Sequence, residues 1–302
     1  MDLPLGSIAD LQGGVVTRAQ ARAAGLLRSE IGYLARRSAW EPIRRGMYAE
    51  PGGGASVRIG SALLATGSRG VASHGSAAAL LGLDLLRDPD ATQTVLTVRP
   101  GQRGHRDLDG IRVHRAGLPP WHVSEVNGLP VTTVARTLVD LTRALSLRDG
   151  VVAMDAALHS GRVRLEQLEE VLADCRGWPW IRRAASAVKL TDAAAESALE
   201  SLSRIFFCAH DIPAPRTQFV VRSGQRFIAR TDFWWEKPRV AGEADGLGKY
   251  AALADLHAEK LRQERIEALG IRVVRWTWGD IWQPAAARAT AARLRAILSR
   301  AA

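Results

Sequence analysis

The sequence predicts an α+β protein that is built from several domains. Its 302 residues exceed what one hydrophobic core usually organises, which favours two or three domains. Short helices and a strand pair precede a Pro51-Gly52-Gly53-Gly54 segment, and from Thr191 the order is helix, three strands, helix, strand and helix. We therefore expect an N-terminal domain over residues 1–51, a mixed α/β domain over 55–190 and an α/β domain over 191–302.

The composition favours a soluble protein with a polyanionic partner. Lys and Arg number 41 against 31 Asp and Glu, which gives a formal net charge of +10 and a pI of about 10.6. That charge suits nucleic acid, although Arg-rich composition also reflects genomic base content. Cys175 and Cys208 lack the spacing of a disulfide framework or a zinc site. Because no leader and no run of about 18 apolar residues is present, we expect a cytoplasmic protein without a membrane partner.

The first 51 residues carry the pattern of a winged helix-turn-helix. Thr17 and Gln20 have the spacing of a capping box, and Gly25 is placed to close the helix that they begin. A second helix is predicted after Ser29, and the segment 40–48 then reads as the strand pair of a wing. These elements predict a small domain that can place one helix in the major groove of DNA.

Basic residues fall on the elements that would contact DNA. The helix carries Arg28, Arg36 and Arg37, and the wing carries Arg44 and Arg45. One basic edge could therefore bind phosphates while the helix contacts bases. A small helical domain used for protein contacts is the alternative.

Two segments give the sequence a family resemblance. Residues 14–21 (GVVTRAQA) and 45–48 (RGMY) resemble the N-terminal domain of AbiEi-type bacterial antitoxins. Residues 73–78 (SHGSAA) and 129–140 (LPVTTVARTLVD) extend the resemblance into the middle region. The resemblance implies a DNA-binding winged helix in an autoregulating toxin–antitoxin or phage-defence operon, with a cognate toxin as a partner. Dimerisation would suit a palindromic operator, so a homodimer is a further expectation.

The middle region predicts secondary structure but no ligand. A helix is expected over residues 57–66, with strands at 94–98 and 111–114. Ser73 beside His74 could suggest a nucleophile and base, but helix capping by Ser73 or Ser76 is the favoured role in the absence of a strand–turn–helix elbow. Arg136 and Asp140 lie one helical turn apart, which suits an ion pair within one helix.

Three carboxylates on two consecutive apolar strands form the most specific pattern in the chain. Asp232 lies on the first strand, and Glu243 and Asp245 follow on the second. Strand side chains alternate, so Glu243 and Asp245 share a face, and hairpin pairing can bring Asp232 beside them. Crowded carboxylates repel one another, and Mg²⁺ or Mn²⁺ would neutralise them. Solvated acids at strand ends are the alternative.

The order of elements from residue 191 resembles the PD-(D/E)XK nuclease superfamily in its very-short-patch-repair-like branch. The matching segments are 196–197, 230–235, 242–246, 249–250, 259–262 and 269–276. The resemblance implies a restriction-endonuclease-like α/β domain in which Asp232 and Glu243 hold the metal, Asp245 assists and Glu196 reaches in from a helix. Asp245 occupies the position where the superfamily has a catalytic Lys. Lys249 or Lys260 would have to supply that ammonium group.

The combined expectation is a DNA-binding protein with a Mg²⁺-dependent endodeoxyribonuclease domain, acting in phage defence, a toxin–antitoxin pair or DNA repair. Lys249 would stabilise the transition state, and Arg230, Arg262 and Arg265 would hold the phosphates. The alternative is a non-catalytic AbiEi-type antitoxin or repressor whose nuclease fold has lost turnover. An RNA-directed enzyme is a third interpretation. The tryptophans near these strands could stack on bases, but core packing is the expected role for most.

Overall fold

The computed structural model describes residues 4–67, 69–87, 92–101, 110–246 and 253–299, and only the backbone over 253–259. The chain divides into two compact units, Met1–Gly150 with Val163–Ala185 and Val151–Arg162 with Ser186–Ala302. Within the described ranges, no helix combines the length and apolar character that a membrane crossing requires.

The first unit opens with three short helices and a three-stranded antiparallel sheet. The elements are α1 (Leu5–Asp10), β1 (Val15–Thr17), α2 (Arg18–Ala23), α3 (Arg28–Arg36), β2 (Glu41–Arg44) and β3 (Met47–Ala49). The strand order is β1-β3-β2. The predicted capping box is confirmed, because Thr17 N–H donates to Gln20 Oε1 at 2.8 Å and Gln20 N–H donates to Thr17 Oγ1 at 3.2 Å. Gly25 ends α2 with a φ of +96°, as predicted.

Helix α3 begins earlier than the sequence predicted. Its first residue is Arg28, before Ser29. The Glu30 carboxylate accepts a hydrogen bond from Leu27 N–H at 2.7 Å, which fixes the start of the helix one turn before Ile31. Because Ile31 is buried with Val16, Ala21 and Tyr48, this start also determines which side of α3 faces solvent.

The rest of the first unit surrounds a five-stranded mixed sheet. The elements are α4 (Gly54–Ala65), β4 (Val71–Ala72), α5 (His74–Leu81), β5 (Thr94–Val98), β6 (Ile111–Arg115), β7 (Val123–Val126), β8 (Leu129–Thr132), α6 (Val134–Ala144), α7 (Leu147–His159), α8 (Leu165–Asp174) and α9 (Ile181–Leu190), with residues 151–159 of α7 and 186–190 of α9 in the second unit. The strand order is β6-β5-β4-β8-β7. Ile59, Leu63, Leu96 and Val131 lie in its core. Both strands that the sequence predicted here are confirmed.

One glycine brings the N-terminal helices directly against α4. A Cβ atom at Gly60 would lie 2.0 Å from the backbone oxygen of Gln12. Any other residue at this position would force the two backbones apart, so their packing depends on Gly60.

The second unit contains a four-stranded sheet between helices. Its elements are α10 (Ala198–Ala209), β9 (Arg216–Ser223), β10 (Arg226–Trp235), β11 (Val240–Ala244), α11 (Leu253–Glu267), β12 (Arg272–Trp276), α12 (Trp278–Trp282) and α13 (Pro284–Ser299). The order is β12-β11-β10-β9, with β9, β10 and β11 antiparallel and β12 parallel to β11. The predicted order of elements is confirmed. The helix that was expected from Thr191 begins only at Ala198, because Ser197 caps α10 by accepting from Glu200 N–H at 3.2 Å.

Aromatic residues fill both faces of this sheet. On one face the ring of Phe207 from α10 contacts Phe233, Trp235 and Trp276 with centroid distances of 5.1 to 5.5 Å. On the other, Trp234 packs with Ala241 and with Ile266 of α11. These tryptophans are buried in the core, as their strand positions predicted, and are not placed to stack on bases.

Candidate functional site

The exposed face of α3 is strongly basic. Arg28, Arg36 and Arg37 are all exposed, and the guanidinium carbon of Arg37 lies 5.5 Å from the ring centre of Tyr33. Tyr33 itself is 52% exposed. Among the described residues, none of these three arginines has a carboxylate partner. We call Arg28, Tyr33, Arg36 and Arg37 the α3 basic face.

The β2–β3 hairpin divides its two arginines between different roles. Arg45 is exposed at the turn, where Gly46 adopts a φ of +73°. Arg44 is partly buried, and its Nε donates to Ser61 Oγ of α4 at 3.3 Å. Both were predicted to bind phosphates, but only Arg45 lies at the exposed tip. Arg44 contributes to packing between the hairpin and α4.

The three predicted metal ligands lie on the paired strands β10 and β11 or directly after them. Phe233 pairs with Gly242, so Asp232 and Glu243 are the next residues in the same antiparallel register. Asp232 Oδ2 accepts a hydrogen bond from Ala244 N–H at 2.8 Å. On the opposite side of β11, the parallel strand β12 places Arg275 beside Glu243.

Two arginines supply the positive charge at this cluster. Glu243 is only 6% exposed, and its Oε1 accepts from Arg262 Nη2 at 2.7 Å while its Oε2 accepts from Arg275 Nε at 2.8 Å. Asp245 Oδ2 lies 3.7 Å from the same Arg275 Nε. We call Asp232, Glu243, Asp245, Arg262 and Arg275 the acid–arginine cluster. Its guanidinium groups offset the repulsion that the sequence expected a metal ion to relieve.

The cluster in this arrangement does not fit a bound metal. Both carboxylate oxygens of Glu243 are engaged by guanidinium groups, so a cation would have to displace an arginine. Across the residues that the structure describes, no group of three or more His, Cys, Asp and Glu side chains is arranged to hold a metal ion. The Mg²⁺ or Mn²⁺ site stays a prediction.

Glu196, which was predicted to reach the metal site from a helix, is paired with an arginine. Glu196 precedes the Ser197 cap, and its Oε2 lies 2.7 Å from Arg230 Nη2. Both side chains are largely solvated, at 37% and 50% exposed. The sequence assigned Arg230 to phosphate binding, whereas here it is paired with an acid.

The buried acid of α10 is Glu200, which the sequence did not single out. Its carboxylate accepts from Glu196 N–H at 3.0 Å, Ser197 Oγ at 2.8 Å and Gln218 Nε2 at 2.9 Å. The Ser197-to-Glu200 spacing of a capping box was the available signal.

The remaining basic residues that were predicted to act at the nuclease site have different surroundings. Arg265 and Lys260 are exposed on α11, and Arg262 is engaged by Glu243. Lys249, the predicted catalytic ammonium, lies outside the described residues.

In the middle region, His74 is the first residue of α5 and only Ser73 separates that helix from β4, so the expectation of no strand–turn–helix arrangement here was wrong. His74 has a φ of +51°, an uncommon conformation for a residue other than glycine. Ser73 is at the N-cap position of α5, but its side chain makes no capping bond. Its Oγ lies 3.0 Å from His74 Nδ1 and accepts from Thr97 Oγ1 at 2.8 Å. Ser76 Oγ accepts from Val95 N–H at 2.8 Å, so neither serine acts as the predicted cap.

Burial keeps the His74 ring neutral. The pKa of His74 is lowered to about 4, mainly because the ring is removed from water and further because His114, Arg143 and Arg136 are near. Asp140 opposes this shift. The ring stacks on His114 with a centroid distance of 4.4 Å.

Comparison with known proteins identifies matches over much of the chain. Residues 7–51 match a family model described as "Transcriptional regulator, AbiEi antitoxin", and residues 70–190 match one described as "AbiEi antitoxin C-terminal domain". Uncharacterized proteins from two strains of Mycobacterium tuberculosis are each 32% identical over 209 residues, which covers 69% of this chain and 74% of each relative. Neither of the two models extends beyond residue 190, so the nuclease resemblance stays a prediction.

Proposed function

Because this chain belongs to the AbiEi antitoxin family, we propose that it is a DNA-binding transcriptional regulator that acts through the α3 basic face and Arg45. The order helix, strand, helix, helix and hairpin supports the winged-helix interpretation, with α3 as the recognition helix and the β2–β3 hairpin as the wing. In this proposal the protein represses the operon that encodes it.

One observation carries the proposal: the exposed arginines of α3 and the hairpin have no acid partner among the described residues. Each guanidinium therefore keeps its donors available for phosphate oxygens, and each phosphate contact releases counterions from DNA. Tyr33 adds an exposed aromatic ring with a polar tip in the middle of the same face.

The acid–arginine cluster supports the same proposal from the other unit. Arg262 and Arg275 are bound to Glu243, so they are not free to hold a phosphate without leaving a buried carboxylate uncompensated. Asp245 in the usual Lys position fits a nuclease-like domain that has lost turnover and serves another purpose.

The test is binding of the full chain to a DNA fragment from upstream of its own reading frame, measured by fluorescence anisotropy over a range of salt concentrations. The double variant Arg36→Glu/Arg37→Glu should weaken binding by at least about a hundredfold, because two attractions become two repulsions. Arg222→Glu, an exposed arginine on β9, is the matched control and should leave affinity within about threefold. Equal losses for both variants would refute the assignment to α3.

A protein partner belongs to the proposal as well. Antitoxin family membership implies a toxin, and an operator with two half-sites implies a homodimer. Co-expression with the products of the adjoining reading frames, followed by light scattering on the purified complex, measures both. A chain that purifies as a monomer and without any of these products would refute both the toxin and the homodimer. The proposal of DNA binding would not be affected.

A metal-dependent nuclease is the second candidate, and the position of Asp232 opposite Glu243 on paired strands, with Asp245 two residues further on, favours it. Melting temperature and cleavage of supercoiled DNA should be measured with Mg²⁺, with Mn²⁺ and with a chelator. A rise in melting temperature and metal-dependent cleavage, both lost in Glu243→Gln, would establish this candidate over the regulator without turnover. Operator binding with no response to either ion would eliminate it.

A further inference from the structure

The first unit contains a small polar cavity that none of the roles above uses. It has a volume of about 180 Å³ and lies among α5, β5, β6 and α6. Its polar lining comes mainly from His74, His114, Arg136, Asp140, Arg143 and Trp180. At about 30 Å³ for each water, the cavity has room for a phosphate ion and a few waters.

Arg136 is fully buried in the wall of this cavity, yet part of its guanidinium group has no partner. Its Nε donates to Asp140 Oδ2 at 2.7 Å, and its Nη1 donates to Gly117 O at 2.9 Å. Among the described residues, Nη2 makes no hydrogen bond. A charged donor left unsatisfied in the interior is costly, and a bound acceptor would remove that cost.

The cavity carries an excess of positive charge. Arg136 and Arg143 share one carboxylate, since Arg143 Nη1 lies 2.8 Å from Asp140 Oδ1. Arg115 adds a third guanidinium to the lining, and the two histidines face each other as a stack. Arg136 and Arg143 against Asp140 leave a net charge of about +1, counting the histidines as neutral.

We propose that this cavity binds the phosphate group of a small phosphorylated molecule. Phosphate presents more acceptor oxygens than a carboxylate does, and the guanidinium groups of Arg136 and Arg143 in the lining are suited to bind them. Trp180 lines the cavity while remaining 66% exposed, so its ring is available to an attached base or sugar outside. The cavity itself holds the phosphate and no base with it.

Ala144 gives a clean way to test the site. It lines the cavity, is exposed, and is the last residue of α6, so substitutions there should not disturb the core. Glu and Gln have nearly the same shape, and only Glu adds a negative charge. Ala144→Glu should therefore weaken phosphate binding at least about tenfold relative to Ala144→Gln.

The measurement is isothermal titration calorimetry of the full chain with inorganic phosphate, with adenosine monophosphate and with a short 5′-phosphorylated oligonucleotide, using acetate as the comparison anion. We expect saturable phosphate binding with a Kd of about 1 mM or lower, and none with acetate. Tighter binding of the nucleotide identifies a small-molecule source, and tighter binding of the oligonucleotide identifies a nucleic-acid end.

The α3 variant Arg36→Glu/Arg37→Glu separates this site from the DNA-binding face. It should lose operator binding and keep phosphate binding. Absence of saturable phosphate binding in the wild type, equal binding by Ala144→Glu and Ala144→Gln, or loss of phosphate binding in the α3 variant would each overturn the proposal.

Discussion

The arginines of α3 and those of the C-terminal sheet carry the same charge but face different surroundings. Arg28, Arg36 and Arg37 project into solvent without an acid, within the part of the chain that the structure describes. Arg262 and Arg275 both bind Glu243 at 2.7 to 2.8 Å. Net charge alone therefore does not locate a nucleic-acid interface. Arginines that are paired with acids count toward the net charge of +10, but their donors are already used within the protein.

The difference follows from the cost of removing an ion from water. A carboxylate that is 6% exposed requires positive charge nearby, and two guanidinium groups provide it at Glu243. A solvated arginine needs no such partner and gains most from a polyanion that arrives from outside. A buried histidine whose nearby carboxylate is already paired with arginines should stay uncharged.

His74 tests that last statement and has the largest expected effect. The pKa of His74 is about 4 in the folded chain and 6.5 ordinarily, so the unfolded chain binds the proton more tightly. The stability that depends on neutral His74 is complete above about pH 6.5 and falls by about 3 kcal/mol as the pH drops to 4. His74→Asn tolerates the positive φ and does not titrate. Denaturant unfolding from pH 7 to 4 should fall less steeply in this variant, and parallel curves would contradict the prediction.

Removing the acid from the acid–arginine cluster should have the next largest effect. Glu243→Ala removes the carboxylate that both Arg262 and Arg275 bind, and it should lower the free energy of unfolding by about 2 kcal/mol. This value is below that of a fully buried pair because both arginines are 29% exposed. Glu264→Ala, an exposed acid on α11, should change stability by less than about 0.5 kcal/mol. Equal losses of stability for Glu243→Ala and Glu264→Ala in urea unfolding would contradict the prediction, because the buried and the exposed acid would then contribute equally.

On the α3 basic face, a single substitution should affect binding and spare stability. Arg36→Ala should weaken operator binding about tenfold and reduce the slope of log affinity against log salt by about one. Its unfolding curve should match that of the wild type, because the side chain is exposed. Loss of stability without loss of operator affinity would contradict the prediction, because Arg36 would then stabilise the fold and not bind DNA.

The smallest effect is expected at the partly exposed pair of Arg230 and Glu196. These side chains are 50% and 37% exposed, so water already screens their 2.7 Å contact. Arg230→Ala should change stability by about 0.5 kcal/mol or less and should not alter operator binding. A loss of stability as large as that of Glu243→Ala would contradict the prediction, because it would mean that burial does not determine how much each ion pair contributes to stability.

Local sequence signals predicted much of the fold. The Thr17–Gln20 capping box, the closing Gly25 and the meander of β9, β10 and β11 depend on contacts within a few residues. Their geometry is set by side-chain chemistry and turn residues that are readable along the chain. The placement of Asp232 opposite Glu243 was predictable for the same reason, since hairpin pairing fixes which residues become neighbours.

What the sequence could not predict depends on distant pairing. Arg275 reaches Glu243 only because β12 adds to the sheet parallel to β11 after α11, which joins residues 32 positions apart. Nothing near Glu243 signals that two arginines would take the place assigned to a metal ion. The turn at His74 was missed because β4 has two residues, too few for a periodic pattern.

The contact at Gly60 bears on how this protein can be divided. Cutting at the glycine run of residues 52–54 is an obvious way to isolate a DNA-binding fragment. It would leave α4 with a groove shaped for the Gln12 backbone, and Val15 would lose its neighbour Val57. Fragments intended for solution studies should therefore retain the helix that bears Gly60, and sequence exchange between relatives should move both segments together.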